Sequence, residues 1–348
     1  MTRNRIYRWD NLKAFLMIAV VWGHFADRFA SGPIIDPIMK GIVVFIYFFH
    51  MPLFFFTAGL LSRKIDENHP FSWNRPVYFI FLGYLLKIII YLIKKSFGKN
   101  PVFLWVSDPN LPWYMFAMAA FLILTNLLRD KNPRIVLPVS VFLACVAGYM
   151  EWINIVFNLS RIIVFFPFYY LGYILEEGKV RQWTSGIRIR ILAVMILALA
   201  VFFVVRDPEF AHRSFRLFAG RTPYIHQRLL PEWGWWRLRL AAYIISFLMG
   251  AAIISLTPAW RIPVMEMIGK NTLVIYFWHR LFLYIFVYCG FKDQLPVLFP
   301  NTWRWLYLGL GFLLTLFIAW QERWFRIPLD LTRRLADAVC DAAARVRE

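Results

Sequence analysis

RWDNLKAFLMIAVVWGHF, residues 8–25, opens on charged and polar side chains, runs almost unbroken through apolar ones and closes on Gly23 and His24. Continued to Phe29 and coiled at about 1.5 Å per residue, the apolar part approaches the roughly 30 Å of a bilayer's hydrocarbon core. Similar runs recur along the chain: Ile38–Leu61, Val77–Ile93, Leu111–Leu128, Ile135–Met150, Ile162–Leu175, Ile189–Val205, Leu238–Leu256, Thr272–Cys289 and Trp305–Trp320. Ile135–Met150 and Ile162–Leu175 are short. Together with Leu12–Phe29 they predict an all-α membrane protein, a polytopic bundle of about ten transmembrane helices.

Hydrophobic residues fill 60% of the 348 positions and charged ones 17%, against about 25% charged in ordinary soluble domains, which excludes a water-soluble fold. Lys and Arg total 39 against 20 acidic residues, but no basic low-complexity arm is present, so no nucleic-acid partner is expected. The basic residues instead report topology. With the N-terminus inside, cytoplasmic segments hold 22 Lys and Arg and the opposite side 14, so both termini read as cytoplasmic. The first run lacks a small-residue cleavage site and is expected to be an uncleaved first helix of a multi-pass protein of the cell (inner) membrane. Cys145, Cys289 and Cys340 fit neither a close pair nor a zinc set, so no metal site is expected.

Residues 1–320 therefore read as one integral-membrane domain and 321–348 as a cytoplasmic tail. In that tail Ile327, Leu331, Leu335 and Val339 recur every four residues, which predicts an amphipathic helix on the membrane surface. Residues 206–237 are expected to form a long outer loop, with six arginines alongside Tyr224, Trp233, Trp235 and Trp236. Such a cluster could bind a sugar chain or a phosphate head group; interfacial anchoring would require the same residues.

Ionisable groups inside spans are costly and mark candidate sites. His24 and Asp27 share a helix face, and Lys13 lies 11 residues before His24, on the same side and about 16 Å away along the axis. A cation at the cytoplasmic mouth and an imidazole deep in the membrane suit an extended ligand with phosphate at one end and a reactive carbon at the other, as in acyl-coenzyme A. His24 would be the general base for an acceptor hydroxyl, and Asp27 would hold its tautomer. A solitary buried His can equally be a packing residue.

In FFHMPLFFFTAGLLSRK, residues 48–64, Pro52 and Gly59 are expected to interrupt the second helix near His50. Lys87 could face a cavity or reach an interface. His279 and Arg280 lie mid-span, so at least one should face the interior. Glu151 and Arg161 flank a short connection and suggest an ion pair. Trp113 and Trp235 are candidate sugar-stacking faces.

Four stretches together resemble the acyltransferase-3 family of integral-membrane O-acyltransferases, most closely its fucose 4-O-acetylase-like branch. RWDNLKAFLMIAVVWGHF is similar to that family's first-helix motif, and FFHMPLFFFTAG (48–59) to its FHMPLFF-SG element, with Thr57 in place of Ser. SRIIVFFPFYYLGYILE (160–176) resembles its Arg-to-Pro-Phe-Phe segment, and IGKNTLVIYFWH (268–279) its late helix ending in His. The resemblance implies transfer of an acetyl group from cytoplasmic acetyl-CoA, a co-substrate rather than a bound cofactor, to a carbohydrate or lipid-linked sugar hydroxyl at the outer face. It also implies that His24 is the essential histidine and that Lys13 stands where wider relatives often have Arg. His50, Arg161 and His279 match further motif positions, expected at the acceptor with Trp113 and Trp235. The basic pair that wider relatives carry near the third helix is absent, leaving Arg63, Lys64 and Arg75 as the other candidate coenzyme-binding cations. The rival reading is a transporter or flippase for a lipid-linked sugar, which would also use broken helices and intramembrane charges.

Overall fold

The computed structural model describes residues 6–30, 35–66, 71–106, 112–154, 158–227 and 234–346, the side chain of Lys64 excepted. Among these residues every element is helical: α1 (Tyr7–Ala30), α2 (Pro37–Tyr47), α3 (His50–Asp66), α4 (Asn74–Ser96), α5 (Trp113–Leu127), α6 (Pro133–Ala147), α7 (Leu159–Ile174), α8 (Glu177–Trp183) and α9 (Ile187–Arg206). They continue with α10 (Pro208–Ala219), α11 (Trp235–Leu256), α12 (Pro263–Lys270), α13 (Thr272–Tyr288), α14 (Phe291–Leu298), α15 (Trp303–Trp320), α16 (Glu322–Phe325) and α17 (Ile327–Arg345), with single 3-10 turns at Trp152–Asn154 and Tyr224–His226.

Each apolar run read from the sequence coincides with one of these helices over most of its described residues, except Ile38–Leu61, which is divided between α2 and α3. Five segments are long and apolar enough to cross a membrane alone: Pro37–Arg63, α4, α9, α11 and α15. Two bent pairs, α7 with α8 at 99° and α13 with α14 at 67°, bring the number to seven, and α5 and α6 are shorter apolar helices. The protein is an all-α polytopic membrane bundle. On α9 the side chains of Leu199, Phe202 and Val205 face outward, an arrangement that hydrocarbon tolerates and water does not.

The central helix is α1, buried along most of its length and packed against α2, α12, α13 and α15. Its polar start is secured by Asn11, which donates to the carbonyls of Pro258 at 3.0 Å and Trp260 at 2.9 Å. Between α2 and α3 the helix breaks at Phe48 and Phe49, ahead of Pro52. Pro52 sits in the first turn of α3, where an N–H would have no partner within the helix. Gly59 does not interrupt α3. A Cβ there would lie 2.9 Å from the Tyr173 nitrogen, and one at Gly172 would lie 2.8 Å from the Phe56 carbonyl carbon. Both glycines let α3 and α7 touch backbone to backbone, the small-residue contact that membrane helices use where no hydrophobic force drives them together.

The stretch expected to be an outer loop contains a helix. Asp207 caps α10 by accepting from the Phe210 N–H at 2.9 Å, Pro208 starts it and Gly220, at φ 67°, ends it. Its apolar face, including Leu217 and Phe218, is buried, and the helix packs on α2, α9 and α11. The guanidinium of Arg239 donates to the Leu217 carbonyl and lies over the Tyr224 ring at 5.8 Å, tying α11 to the end of this helix. Trp233 lies outside the described residues. In the tail, α17 packs on α4 with Leu329, Thr332 and Ala336 inward, while Ile327, Leu331, Leu335 and Val339 stay exposed.

Candidate active site

A cavity of about 240 Å³ opens where the second half of α1 meets α2, α3, α7, α10 and α13. Helical periodicity selects its walls. On α1, Val20, His24, Asp27 and Arg28 are spaced by three or four residues and form one stripe. On α13, Tyr276, Arg280 and Tyr284 form another, at intervals of four. The α2–α3 break places Tyr47 at the end of one helix and His50 at the start of the next, both in the wall. Arg161 and Phe165, one turn apart on α7, and Trp113 from α5 complete that side. Phe215, Phe218 and Arg221, from α10 and the residues after it, cover the cavity.

His24 in the cavity wall stacks on a second imidazole behind it: the ring centroids of His24 and His279 are 5.3 Å apart and their planes differ by 22°. Nδ1 of His279 is 3.0 Å from the Ile275 carbonyl oxygen. A carbonyl only accepts, so Nδ1 carries the hydrogen, and the lone pair falls on Nε2, which is buried without a protein partner. The same reasoning holds for His50, whose Nδ1 is 2.8 Å from the Ile46 carbonyl and whose ring meets Tyr47 edge-on at 4.6 Å.

The arginines are held by aromatic faces. Arg161 lies over Trp113 at 4.7 Å, Arg28 over Tyr284 at 5.1 Å and Arg280 over the same ring at 5.7 Å. Arg280 also donates to the Tyr284 hydroxyl at 3.3 Å. Such contacts orient a guanidinium without neutralising it. Glu151 is exposed and makes no ion pair with Arg161 among the described residues. An imidazole base can remove a hydroxyl proton, and guanidinium groups beside it can stabilise the oxyanion that then develops.

Of the residues read from the sequence, His24, Asp27, His50, Arg161 and Trp113 line this cavity, and His279 stacks on His24 behind it. Trp235 is elsewhere, stacked on Tyr224 at 5.9 Å. The candidate coenzyme cations do not gather at the cavity. Lys13 pairs with Asp10 at 3.0 Å near the start of α1. Arg63 donates to the Ile174 carbonyl at 2.8 Å, and Arg75 pairs with Asp66 at 2.9 Å beside a separate 200 Å³ hollow. The Lys64 side chain lies outside the described residues. Lys87 donates to the Leu104 carbonyl and lies 5.1 Å from the Phe103 ring centre.

The cavity also contains Arg280, whose mid-span position pointed to the interior, and Arg28, Arg221, Tyr47, Tyr276 and Tyr284, none of which the sequence reading named as a site residue. Arg28 follows His24 by one helical turn, and the Tyr276–Arg280–Tyr284 spacing is visible along the chain. Arg221 carries no such signal, because only the packing of α10 brings it here.

Residues 6–320 match the family described as "Acyltransferase domain" (Acyl_transf_3). Among curated proteins, the Nodulation protein NolL of Mesorhizobium japonicum is 22% identical over 308 residues, covering 79% of this chain and 76% of that protein. No solved structure matches. With the family match spanning nearly all of a bundle whose central cavity presents His24, the chain belongs to the acyltransferase-3 family and is a membrane acyltransferase.

Proposed function

We propose that the protein is a cell-membrane O-acetyltransferase that takes the acetyl group of cytoplasmic acetyl-CoA and places it on a hydroxyl of a carbohydrate acceptor. The observation that carries this reading is His24 itself: half-buried, facing the cavity and stacked on a second imidazole among guanidinium groups. Lys13 lies on the same continuous helix, about 16 Å away, at the end that the basic residues assign to the cytoplasm. There it would meet coenzyme phosphates, with Arg63, Lys64 or Arg75 as further cations.

In the reaction, His24 accepts the proton of the acceptor hydroxyl as its oxygen attacks the thioester carbonyl. The carbon–sulfur bond breaks, and the coenzyme leaves as thiolate and takes the proton from the imidazolium. Asp27, one turn on, would steady that cation. The arginines would stabilise the tetrahedral oxyanion, the largest single contribution in many acyl transfers. Transfer through an acetyl-His24 intermediate uses the same imidazole at the same place.

The test is a deletion strain complemented with wild type or His24→Ala. The expected result is surface carbohydrate made in normal amount without acetyl groups, restored by wild type alone, with His24→Ala present in the membrane at normal level. Acetylation restored by His24→Ala refutes the mechanism. Carbohydrate that is not exported at all favours the flippase reading.

A further inference from the structure

We propose that the acceptor is anionic: a sugar unit bearing a phosphate or carboxylate group, which the cavity arginines hold while a neighbouring hydroxyl is presented to His24. This rests on the acyl-transfer reading above and names its substrate class. Four guanidinium groups from four separate stretches, Arg28, Arg161, Arg221 and Arg280, face one space of about 240 Å³, in which Asp27 is the one carboxylate among the described lining residues. Four positive charges against one negative leave an excess of three. Arg161 is only 9% exposed, its Nε has no hydrogen-bond partner and its flat face lies on Trp113 at 4.7 Å. The Nε of Arg280 is likewise buried and unpartnered.

Cations gathered in a membrane interior are costly unless something compensates them. A neutral sugar hydroxyl would compensate none of this charge. A bound oxyanion would, since its paired oxygens match the guanidinium fork. In the acyl-transfer reading above, the phosphates of the donor meet Lys13 at the other end of α1, about 16 Å from His24. The anion beside His24 is therefore the acceptor's own.

The test is equilibrium binding to the purified full chain in a neutral detergent, read by calorimetry with glucose 1-phosphate, glucuronate and methyl glucoside as probes. Both anions are expected to bind at least about tenfold more tightly than the neutral glycoside, and Arg161→Gln and Arg221→Gln each to remove about tenfold, as for a lost charge-assisted hydrogen bond. Arg161→Lys should restore part of the loss. Arg221 is exposed at the rim, so its substitution keeps the test decisive if Arg161→Gln does not fold. Equal affinity for anionic and neutral probes, or anion binding unmoved by Arg221→Gln, overturns the proposal. Displacement of glucose 1-phosphate by adenosine 3′,5′-bisphosphate or by phosphatidylglycerol overturns it too, assigning the arginines to the donor or to a lipid head group. Binding is read without turnover, so each of these outcomes is distinct from retained acetylation in the His24→Ala strain, which judges the acyl-transfer reading.

Discussion

Replacing Gly59 by Ala adds one methyl group where α3 and α7 touch. The new carbon would lie 2.9 Å from the Tyr173 nitrogen and 3.0 Å from the Tyr169 carbonyl carbon, with the Tyr169 oxygen nearer still. Ordinary contact begins at 3.4 Å, so clearing the nitrogen alone needs a separation of 0.5 Å, and the oxygen needs more. The obstructing atoms are backbone, so no side chain can rotate away. Overpacking of this kind costs about 1–3 kcal/mol, offset by the roughly 0.5–1 kcal/mol by which Ala exceeds Gly in a helix interior. The expected net loss is about 1 kcal/mol. Function should suffer more, because α3 carries His50 and α7 carries Arg161 into the cavity wall, and misplacement approaching 1 Å costs on the order of 10²-fold in rate. Gly309 on α15 is the control: a Cβ there meets nothing within 4 Å, so Gly309→Ala should be neutral or slightly stabilising. The assay is thermal unfolding in detergent together with acetyl-CoA turnover. If Gly59→Ala and Gly309→Ala shift the unfolding midpoint alike and leave turnover intact, the backbone contact between α3 and α7 is not what holds the site.

Arg239→Ala removes the guanidinium that joins α11 to the Leu217 carbonyl and the Tyr224 ring; a loss of about 2 kcal/mol should appear as faster amide exchange across α10, and unchanged exchange there would count against its anchoring role. Glu266 on α12, outside the membrane-spanning segments, is held at about 2 rather than its ordinary 4.5 by hydrogen bonds from Lys270 and Arg261. Its folded-state value is depressed, so its contribution is complete above about 4.5 and is lost as pH falls towards about 2; unfolding midpoints measured across that window should fall, and less steeply in Glu266→Gln. Trp113→Leu should weaken the seat of Arg161 by about 1 kcal/mol, raising KM for the acceptor more than for acetyl-CoA, and an equal rise in both would refute that assignment.

Much of the bundle was legible because membrane spans are written locally: a helix in hydrocarbon satisfies its own backbone, so a run of apolar residues is nearly sufficient to specify it. His24 was legible as a cavity-facing residue for the converse reason, an ionisable group being costly in such a run. The α2–α3 break falls ahead of both Pro52 and Gly59: Pro52 is harmless in a first turn, and Gly59 serves a contact whose other half, Gly172, is more than a hundred residues away. α10 was hidden by its polar composition; its signals were the Asp207 cap and the terminating Gly220.

By itself the sequence determined an all-helical membrane protein with His24, Asp27 and Lys13 on one face of its first helix, since each of these follows from residue spacing along a single segment. Only the tertiary structure decided that His279 stacks on His24, that Arg28, Arg161, Arg221 and Arg280 converge on one cavity, and that Trp235 packs elsewhere. Those relations join residues up to about 250 positions apart, and helix packing in a membrane turns on close contacts between small residues and on the few polar groups that must find partners, which no local pattern records.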